Sequence, residues 1–224
     1  MMTPEPKATI VAIGDVHGCA SLLKAAIQPY LGSGAELILL GDLIDRSPEP
    51  DGDRKVIELV RELQDNPAAH GLAGVTVLRG NHEQMLLDAL AEDSPGEASE
   101  LWEWNGGDPA FLPAAGDHQD WLSSLPLKAI RGDYLFVHAG VRPGLGLEDQ
   151  QPNDLLWIRH PFLQKPHGLP YTVVHGHTFR GDYGVTRLPH RIGIDTGAFI
   201  SGMLTALPLP MQWVTSGNQS FQPT

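Results

Sequence analysis

Three short apolar runs in the first third of the chain, residues 8–13, 36–40 and 75–78, are each followed at once by polar side chains. The residue types are those that bind a divalent metal or a phosphate group: carboxylates, imidazoles, an amide and guanidinium groups. Because α/β folds place their chemistry at the carboxyl ends of core strands, the pattern predicts a metal-assisted phosphate site. The side chains are Asp15 and His17 after the first run, Asp42, Asp45 and Arg46 after the second, and Arg79, Asn81 and His82 after the third.

The second half of the chain repeats this arrangement. We expect strands at residues 134–137, 155–158, 171–174 and 191–194, each followed by a histidine, an arginine or an aspartate. Oxygen and nitrogen ligands without a thiolate suit Mn²⁺, Fe, Co²⁺ or Zn²⁺, and six ligands indicate two metals rather than one. The possible metal ligands are Asp15, His17, Asp42, Asn81, His138 and His177, the possible phosphate-binding residues are Arg46, Arg79 and Arg159, and His82 is left as a free imidazole.

Helices are expected between the first strands, at residues 20–31, 53–64 and 83–91, so the chain is predicted to be an α/β domain.

Residues 92–125 interrupt this alternation of strands and helices. Their first part is rich in Pro, Gly, Glu and Asp, and we expect a helical insertion or lid there. Its tryptophans, Trp102, Trp104 and Trp121, are expected to pack in the interior rather than to stack on substrate.

The remaining strands are expected near residues 203–207 and 211–214, without obvious chemistry. The 224 residues are long enough for one large domain, and we expect residues 1–224 to form a single domain that carries the insertion.

The overall composition indicates a globular protein and limits its partners. Hydrophobic residues make up 42% of the chain, and the net charge is −12 at pH 7. Such an acidic chain is a poor general binder of nucleic acid or of anionic membranes, because both favour a basic surface. A phosphate substrate is still compatible with this charge, since a few arginines and metal ions act locally.

Cysteine usage and the first residues indicate a reducing compartment. The single cysteine, Cys19, cannot form an internal disulfide, and we expect it to be a small apolar filler rather than a reactive thiol. Residues 1–9 lack the apolar core of a signal peptide, and no apolar run approaches the length of a membrane span. We therefore expect a cytoplasmic protein.

The motifs occur in a recognisable order. They are Gly-Asp-Val-His-Gly (14–18), Gly-Asp-Leu-Ile-Asp-Arg (41–46), Gly-Asn-His-Glu (80–83), His-Ala-Gly (138–140) and Gly-His-Thr (176–178). This set resembles the PPP-type calcineurin-like metallophosphoesterases, and it is most similar to the compact bacterial and phage Ser/Thr protein phosphatases. The segments Trp-Glu-Trp-Asn-Gly-Gly (102–107) and Leu-Leu-Trp-Ile-Arg (155–159) also resemble that branch, and the similarity spans residues 10–200.

The resemblance implies a fold and a role for each candidate residue. The fold would be a β-sandwich of two mixed sheets flanked by helices. Asp15 and His17 would bind a first metal, Asn81, His138 and His177 a second, and Asp42 both, the metals being Mn²⁺ or alternatively Fe, Co, Ni or Zn. Arg46, Arg79 and Arg159 would hold the phosphoryl oxygens with Asn81 nearby, and His82 would be the general acid, oriented by Asp45.

The implied activity is that of a phosphomonoesterase in which two metals activate a hydroxide for in-line attack on phosphorus. The implied substrate is phospho-Ser/Thr in proteins, extending to phospho-Tyr, so the partner is a phosphoprotein or phosphopeptide, and we expect a monomer. The alternative enzyme is a symmetrical bis(5'-nucleosyl)-tetraphosphatase, a branch that usually lacks an acid at the position of Asp45. A scaffold without turnover is the second alternative, but such scaffolds typically lose ligands, and none is missing here.

The residues outside the motifs are expected to be structural. Asp195 belongs to an Ile-Asp-Thr-Gly segment that we interpret as structural support near the site rather than as a ligand. His175 stands where the family commonly has an apolar residue, and it is either a structural histidine or a partner of a ligand. His160, His167 and His190 have no motif support, and we expect them to be surface or structural residues.

Overall fold

The computed structural model describes residues 9–91 and 96–210, which form nine strands and eight helices with short 3₁₀ turns between them. The strands are β1 (Thr9–Ile13), β2 (Glu36–Leu39), β3 (Gly74–Val77), β4 (Lys128–Arg131), β5 (Tyr134–Val137), β6 (Thr172–His175), β7 (Thr186–Leu188), β8 (Arg191–Gly193) and β9 (Ala206–Pro210). The helices are α1 (Ala20–Ile27), α2 (Gly52–Asp65), α3 (Asn81–Leu90), α4 (Glu97–Trp104), α5 (Leu112–Ala115), α6 (Gln119–Ser124), α7 (Pro152–Trp157) and α8 (Ala198–Ser201). Within these ranges, none of the helices has the length and apolar character needed to cross a membrane.

The first sheet has the order β3-β2-β1-β9 and contains the three strands predicted from the first third of the chain. Strands β1, β2 and β3 are parallel, and β9 is antiparallel to β1. Ala12 lies opposite Ile38, which lies opposite Thr76, so the carboxyl ends of the three strands meet at one edge. Leu37 and Leu39 pack into one hydrophobic cluster, whereas Ile38 packs into another. Because β2 is buried on both faces, its sequence is an unbroken apolar run.

The second sheet has the order β4-β5-β6-β8-β7. Strands β5, β6 and β8 are parallel, whereas the edge strands β4 and β7 are antiparallel to their neighbours. The sequence analysis missed both edge strands. Neither contains a fully buried residue, so neither shows the apolar run by which the central strands were found.

The two sheets pack face to face. Ile10 of the first sheet and Phe136 of the second belong to one hydrophobic cluster. The outer face of the first sheet is covered by α1, α2 and α3, which contribute residues such as Val56. The outer face of the second sheet is covered by α7, which contributes Leu155. This arrangement confirms the predicted β-sandwich of two mixed sheets flanked by helices.

Two predicted elements are wrong. Residues 155–158, predicted as a strand, fall at the end of α7 and just beyond it, and this helix begins at Pro152. Proline suits the first turn of a helix, and the apolar run is too short for its period to distinguish a helix from a strand. The helix predicted at 20–31 ends at Ile27, where Pro29 accompanies a 3₁₀ turn.

Helices α4, α5 and α6 lie between α3 and β4, where the insertion was predicted. Trp102 is fully buried and Trp121 is half-buried, as expected of packing residues, but Trp104 is 86% exposed, so that expectation was wrong for Trp104. A lid function for this segment stays a prediction. The strand predicted near 203–207 is β9, and the one predicted at 211–214 lies outside the described residues.

Candidate metal centre

The loops that follow β1, β2, β3, β5 and β6 bring the predicted ligands together. Several residues there have left-handed backbone angles, which cost on the order of 1–3 kcal/mol each and are found mainly at functional sites. Gly41 allows the β2 loop to pass close to the β3 loop, because a Cβ on Gly41 would overlap the backbone of Gly80. The left-handed residues are His17 (φ 46°), Asp42 (φ 49°), Asp45 (φ 69°), Arg46 (φ 59°) and His177 (φ 63°).

A first set of ligand atoms surrounds Asn81. Its Oδ1 lies 2.8 Å from His138 Nε2 and 2.8 Å from His177 Nδ1, and these two nitrogens are 3.2 Å apart. His138 Nε2 also lies 3.4 Å from Asp42 Oδ1. Two imidazoles, a carboxylate and an amide oxygen are a donor set that suits a transition metal.

A second set includes the other oxygen of Asp42. Asp42 Oδ2 lies 3.7 Å from His17 Nε2 and 4.0 Å from His82 Nε2. Asp15 lines the same cavity as His17 and Asp42, and its Oδ2 accepts a hydrogen bond of 2.9 Å from the backbone N–H of His177. The structure thus brings all six predicted ligands together, and Asp42 belongs to both sets.

Backbone carbonyls determine which nitrogen of two histidines faces the centre. His17 Nδ1 lies 2.9 Å from the carbonyl oxygen of Ile44, and His138 Nδ1 lies 2.9 Å from that of Leu40. A carbonyl oxygen only accepts, so each Nδ1 carries the proton and each Nε2 is free to bind a metal. Burial lowers the pKa of both histidines, that of His17 to about 3, which keeps them in the neutral form that metals bind.

Asp15 gives an independent test of whether a cation fits. Its Oδ1 is buried and has no hydrogen-bond partner in the described part of the chain. Burial raises the pKa of Asp15 well above its ordinary value, and the negative charges of Asp195 and Asp42 raise it further. Gly176 makes room for this carboxylate, because a Cβ there would overlap Asp15 Oδ1. A divalent cation would satisfy the unpaired oxygen and offset the clustered negative charge, so the residues present fit one.

His82 is held by a buried chain of hydrogen bonds. Its Nδ1 lies 2.6 Å from Asp45 Oδ2, and Trp102 Nε1 donates to both oxygens of Asp45 at 2.9 and 3.0 Å. Burial lowers the pKa of His82, but the charge of Asp42 and the hydrogen bond to Asp45 outweigh burial, so that the pKa rises. The hydrogen bond of Nδ1 to Asp45 leaves Nε2 facing the centre, 4.0 Å from Asp42 Oδ2.

Two of the three predicted phosphate-binding arginines reach the centre. Arg46 and Arg159 line a cavity of about 80 Å³ together with metal-ligand residues. Arg46 is held by the insertion, because its Nε donates to the Asn105 carbonyl at 3.0 Å and its backbone N–H donates to the Gly106 carbonyl at 2.9 Å. The insertion therefore orients one of the guanidinium groups that face the metal ligands.

Arg79 is engaged elsewhere. Its guanidinium donates to Gln84 Oε1 at 2.9 Å and to the Ser123 carbonyl, and Arg79 does not line the cavity that Arg46 and Arg159 share. The structure does not bring it to the ligand set in this conformation, and its role in phosphate binding stays a prediction.

Sequence reasoning assigned no role to Glu83, which organises two of the ligand loops. Its fully buried carboxylate accepts hydrogen bonds from the backbone N–H groups of Asp42 (2.9 Å), Leu43 (2.7 Å) and Gly80 (2.7 Å). These bonds fasten the β2 loop to the β3 loop. The only signal in the sequence was its position at the end of Gly-Asn-His-Glu.

The residues around the centre include three aromatic side chains that the sequence analysis did not single out as site residues. Trp157 and Phe179 line the cavity and are partly exposed. Phe199 packs edge-on against His17 at 4.9 Å between ring centroids and lies 5.2 Å from the guanidinium carbon of Arg46. An aromatic rim of this kind was not recognisable because the three residues come from separate segments of the chain.

The other polar residues lie where structural roles were expected. Asp195 lines the cavity, and its Oδ1 accepts a hydrogen bond of 2.9 Å from the backbone N–H of Gly197. His175 is buried beside Arg191, with 3.2 Å between His175 Nε2 and Arg191 Nη1. His167 and His190 contact each other behind the second sheet, and His160 is exposed.

Cys19 is buried, and burial raises the pKa of its thiol to about 11, consistent with a filler.

Comparison with known families assigns the chain to a class. The family model for calcineurin-like phosphoesterases matches residues 8–193. The chain belongs to the calcineurin-like phosphoesterase family, whose members are metallophosphoesterases, and the donor clusters described above are consistent with divalent metals.

Curated relatives carry two kinds of name. Serine/threonine-protein phosphatase 1 of Salmonella typhimurium is 30% identical over 217 residues, which covers 86% of this chain and 88% of that protein. The symmetrical bis(5'-nucleosyl)-tetraphosphatase of Janthinobacterium sp. is 31% identical over 140 residues, but the match spans only 60% of this chain and 44% of that protein. The cold-active protein-tyrosine phosphatase of a psychrophilic Shewanella species shares the fold, with a TM-score of 0.61 at 16% identity, over 95% of this chain and 83% of that one.

Proposed function

We propose that this protein is a metal-dependent phosphomonoesterase that acts on phosphoserine and phosphothreonine in proteins. The observation that carries the proposal is the buried chain of hydrogen bonds from Trp102 through Asp45 to His82. It would hold His82 as a fixed proton donor beside the candidate metal centre. The similarity to a Salmonella serine/threonine-protein phosphatase over most of both chains supports the same substrate class.

Six side chains would hold two divalent cations. Mn²⁺ is the proposed metal, because three of the ligands are imidazoles, which Mg²⁺ accepts poorly. When bound, the cations would lower the pKa of a water molecule to supply the nucleophile and would offset negative charge on the phosphoryl group. Asp15, His17 and Asp42 would hold one cation, and Asp42, Asn81, His138 and His177 the other.

The arginines would bind and orient the phosphoryl group. Arg46 and Arg159 both line the cavity that contains the ligand residues, so their guanidinium groups can donate to phosphoryl oxygens there. Asn81 lies in the same cavity and can contribute a further contact. Arg79 joins them only if its guanidinium leaves Gln84 and Ser123, and we include it on that condition.

His82 would protonate the leaving oxygen. A serine or threonine alkoxide is a very poor leaving group, so a positioned acid contributes strongly to its departure. Asp45 raises the proton affinity of His82 and fixes its tautomer, and Trp102 keeps Asp45 in place. A single acid of this kind is worth roughly 10²–10⁴ in rate.

The alternative substrate is a dinucleoside tetraphosphate, because some relatives carry that name. Its leaving group is a nucleotide, which is already a stable phosphate anion and needs little protonation. The dedicated proton donor therefore favours a phosphomonoester.

We also propose that the protein acts as a cytoplasmic monomer on phosphoproteins and binds neither nucleic acid nor membranes. The net charge of −12 supports the exclusion of these two polyanionic partners.

The test compares substrates in the wild-type protein and in Asp45→Asn. We expect wild-type kcat/KM to be higher for phosphopeptides and aryl phosphates than for diadenosine tetraphosphate, and Asp45→Asn to harm the phosphopeptide reaction most. Asp65→Asn, which changes an exposed carboxylate at the end of α2, is the matched control. A wild-type preference for the dinucleotide by roughly tenfold, about 1.4 kcal/mol in transition-state free energy, would reject the phosphatase assignment.

A further inference from the structure

A second cavity lies beside the candidate metal centre, between the loop that follows β2 and the insertion. Its volume is about 330 Å³, which is at the lower end of the range for organic ligands. None of the six candidate metal ligands lines it. The proposed reaction takes place in the other cavity and does not use this one.

The polar lining of this cavity is mainly acidic. It contains four carboxylates, those of Glu49, Asp51, Asp53 and Asp108, against two guanidinium groups, those of Arg46 and Arg54. Three of the carboxylates already have partners within the protein. Glu49 accepts hydrogen bonds from Ser21, Asp51 lies 3.7 Å from Arg54, and Asp108 accepts a hydrogen bond from the backbone N–H of Ala110.

Asp53 is different because it is buried and one of its two carboxylate oxygens lacks a hydrogen-bond partner within the described chain. It is only 6% exposed, and its Oδ1 has no hydrogen-bond partner in the described ranges. Burial raises the pKa of Asp53 to about 7, and the negative charges of Asp45 and Asp108 contribute to the rise. A buried carboxylate that lines a cavity and has one unpartnered oxygen is stabilised when a cationic hydrogen-bond donor enters.

Arg46 forms part of the wall of both cavities. A phosphoryl group on the metal-centre side of Arg46 would therefore have its neighbouring groups within reach of the acidic cavity. Because the two cavities share Arg46 in their walls, they adjoin each other, and a single extended ligand can occupy both.

We propose that the acidic cavity binds the side chain of a lysine or arginine that lies close in sequence to the phosphorylated residue of a protein substrate. This proposal rests on the proposed function and deepens it by naming a specificity site. A basic side chain is favoured over a metal ion. Among the described residues, no three carboxylates or imidazoles of this cavity lie close enough together to bind one ion. The length and positive charge of a lysine or arginine side chain match a cavity of this volume whose wall contains an unpaired carboxylate oxygen.

The same charge would act against polyphosphate substrates. The additional phosphates of a dinucleotide that extended past Arg46 would meet several carboxylates, and like charges repel strongly where solvent is partly excluded. The cavity therefore selects for a cation and against the competing substrate class.

The experiment compares phosphopeptides that differ at one position. The peptides are phosphoserine peptides made in pairs. In each pair one position, from three residues before the phosphoserine to three residues after it, carries either arginine or alanine. We expect the wild-type protein to prefer arginine at one or more positions by roughly tenfold in kcat/KM, mainly through KM, since a hydrogen bond to a charged group commonly contributes that much. Replacing that arginine by citrulline, which keeps the shape and loses the charge, should abolish the preference.

Asp53→Asn tests the residue directly. We expect this variant to lose the preference, expressed as the ratio of kcat/KM for the arginine and alanine peptides, so that any general loss of activity cancels. Glu148→Gln removes one negative charge from a position that is 87% exposed and should keep the ratio.

The outcomes separate this proposal from the proposed function. Phosphopeptides cleaved without preference for arginine at any position would overturn the cavity assignment alone. Failure to cleave any phosphopeptide would overturn both. If Asp53→Asn does not fold, the wild-type ratios for arginine and citrulline decide the matter without it.

Discussion

Replacing His82 by asparagine tests the general acid most directly. The Asn side-chain amide can occupy the region of His82 Nδ1 and continue to donate to Asp45, so Asp45 and Trp102 keep their hydrogen bonds. What is lost is Nε2, which lies 4.0 Å from Asp42 Oδ2 and faces the candidate metal centre. The substitution therefore removes the proton donor and preserves its support.

The expected loss follows from the geometry. His82 is 1% exposed, so water does not readily replace its proton donor. For alkyl phosphates we expect turnover to fall by roughly 10²–10⁴, which corresponds to about 3–5 kcal/mol of transition-state stabilisation. For aryl phosphates the fall should be much smaller, because a phenolate leaves without needing protonation.

The assay measures kcat/KM for a series of phosphomonoesters whose leaving groups differ in pKa. The dependence of rate on leaving-group pKa should be steeper in His82→Asn than in the wild-type protein. His70→Asn, which changes a histidine that pairs with Glu62 on α2, is the matched control and should leave the slope unchanged. Metal content of each protein is checked by elemental analysis. An equal drop for alkyl and aryl substrates would show that His82 positions the substrate and does not donate the proton.

Two further predictions concern the metals. Exhaustive chelation should abolish activity and leave the fold intact by circular dichroism, and Mn²⁺ should restore activity better than Mg²⁺; full activity in protein shown to be metal-free would end the two-metal proposal. Asp42→Asn should lose far more activity than Asp195→Asn, because Asp42 presents one oxygen to each donor set, whereas Asp195 belongs to neither set and accepts a hydrogen bond from the backbone N–H of Gly197. Similar losses in two folded variants would mean that the centre of the site has been misassigned.

Much of the site was predictable because parallel strands end at a common edge. Asp15, Asp42 and Asn81 each follow a buried apolar run, and runs of that kind can be recognised from composition alone. The order of the motifs predicted the fold, which the structure confirms, and a role for each residue, which stays a prediction; strand ends by themselves specify neither. The candidate ligand set is therefore visible in the sequence, since each of its members lies close to the end of a strand.

The parts that could not be predicted depend on contacts between distant segments. Glu83 is a single acid in the sequence, and its three backbone partners are apparent only once two loops lie side by side. Arg79 ends a strand like the other candidates, but its guanidinium turns toward Gln84 and Ser123. Asp53 is the first residue of the helix predicted at 53–64, and its burial beside Gly18 of the β1 loop is apparent only from the structure.

The way in which the loops are held also explains why loss of metal should leave the fold intact. Asp42 and His177 occupy left-handed backbone conformations that must be stabilised by the surrounding protein. For Asp42 that stabilisation comes from Glu83, whose carboxylate binds the backbone of both neighbouring loops, and for His177 from the hydrogen bond between its N–H and Asp15. Because these bonds do not require a cation, we expect the candidate ligands to keep their arrangement when metal is removed, so that chelation abolishes activity without unfolding the loops.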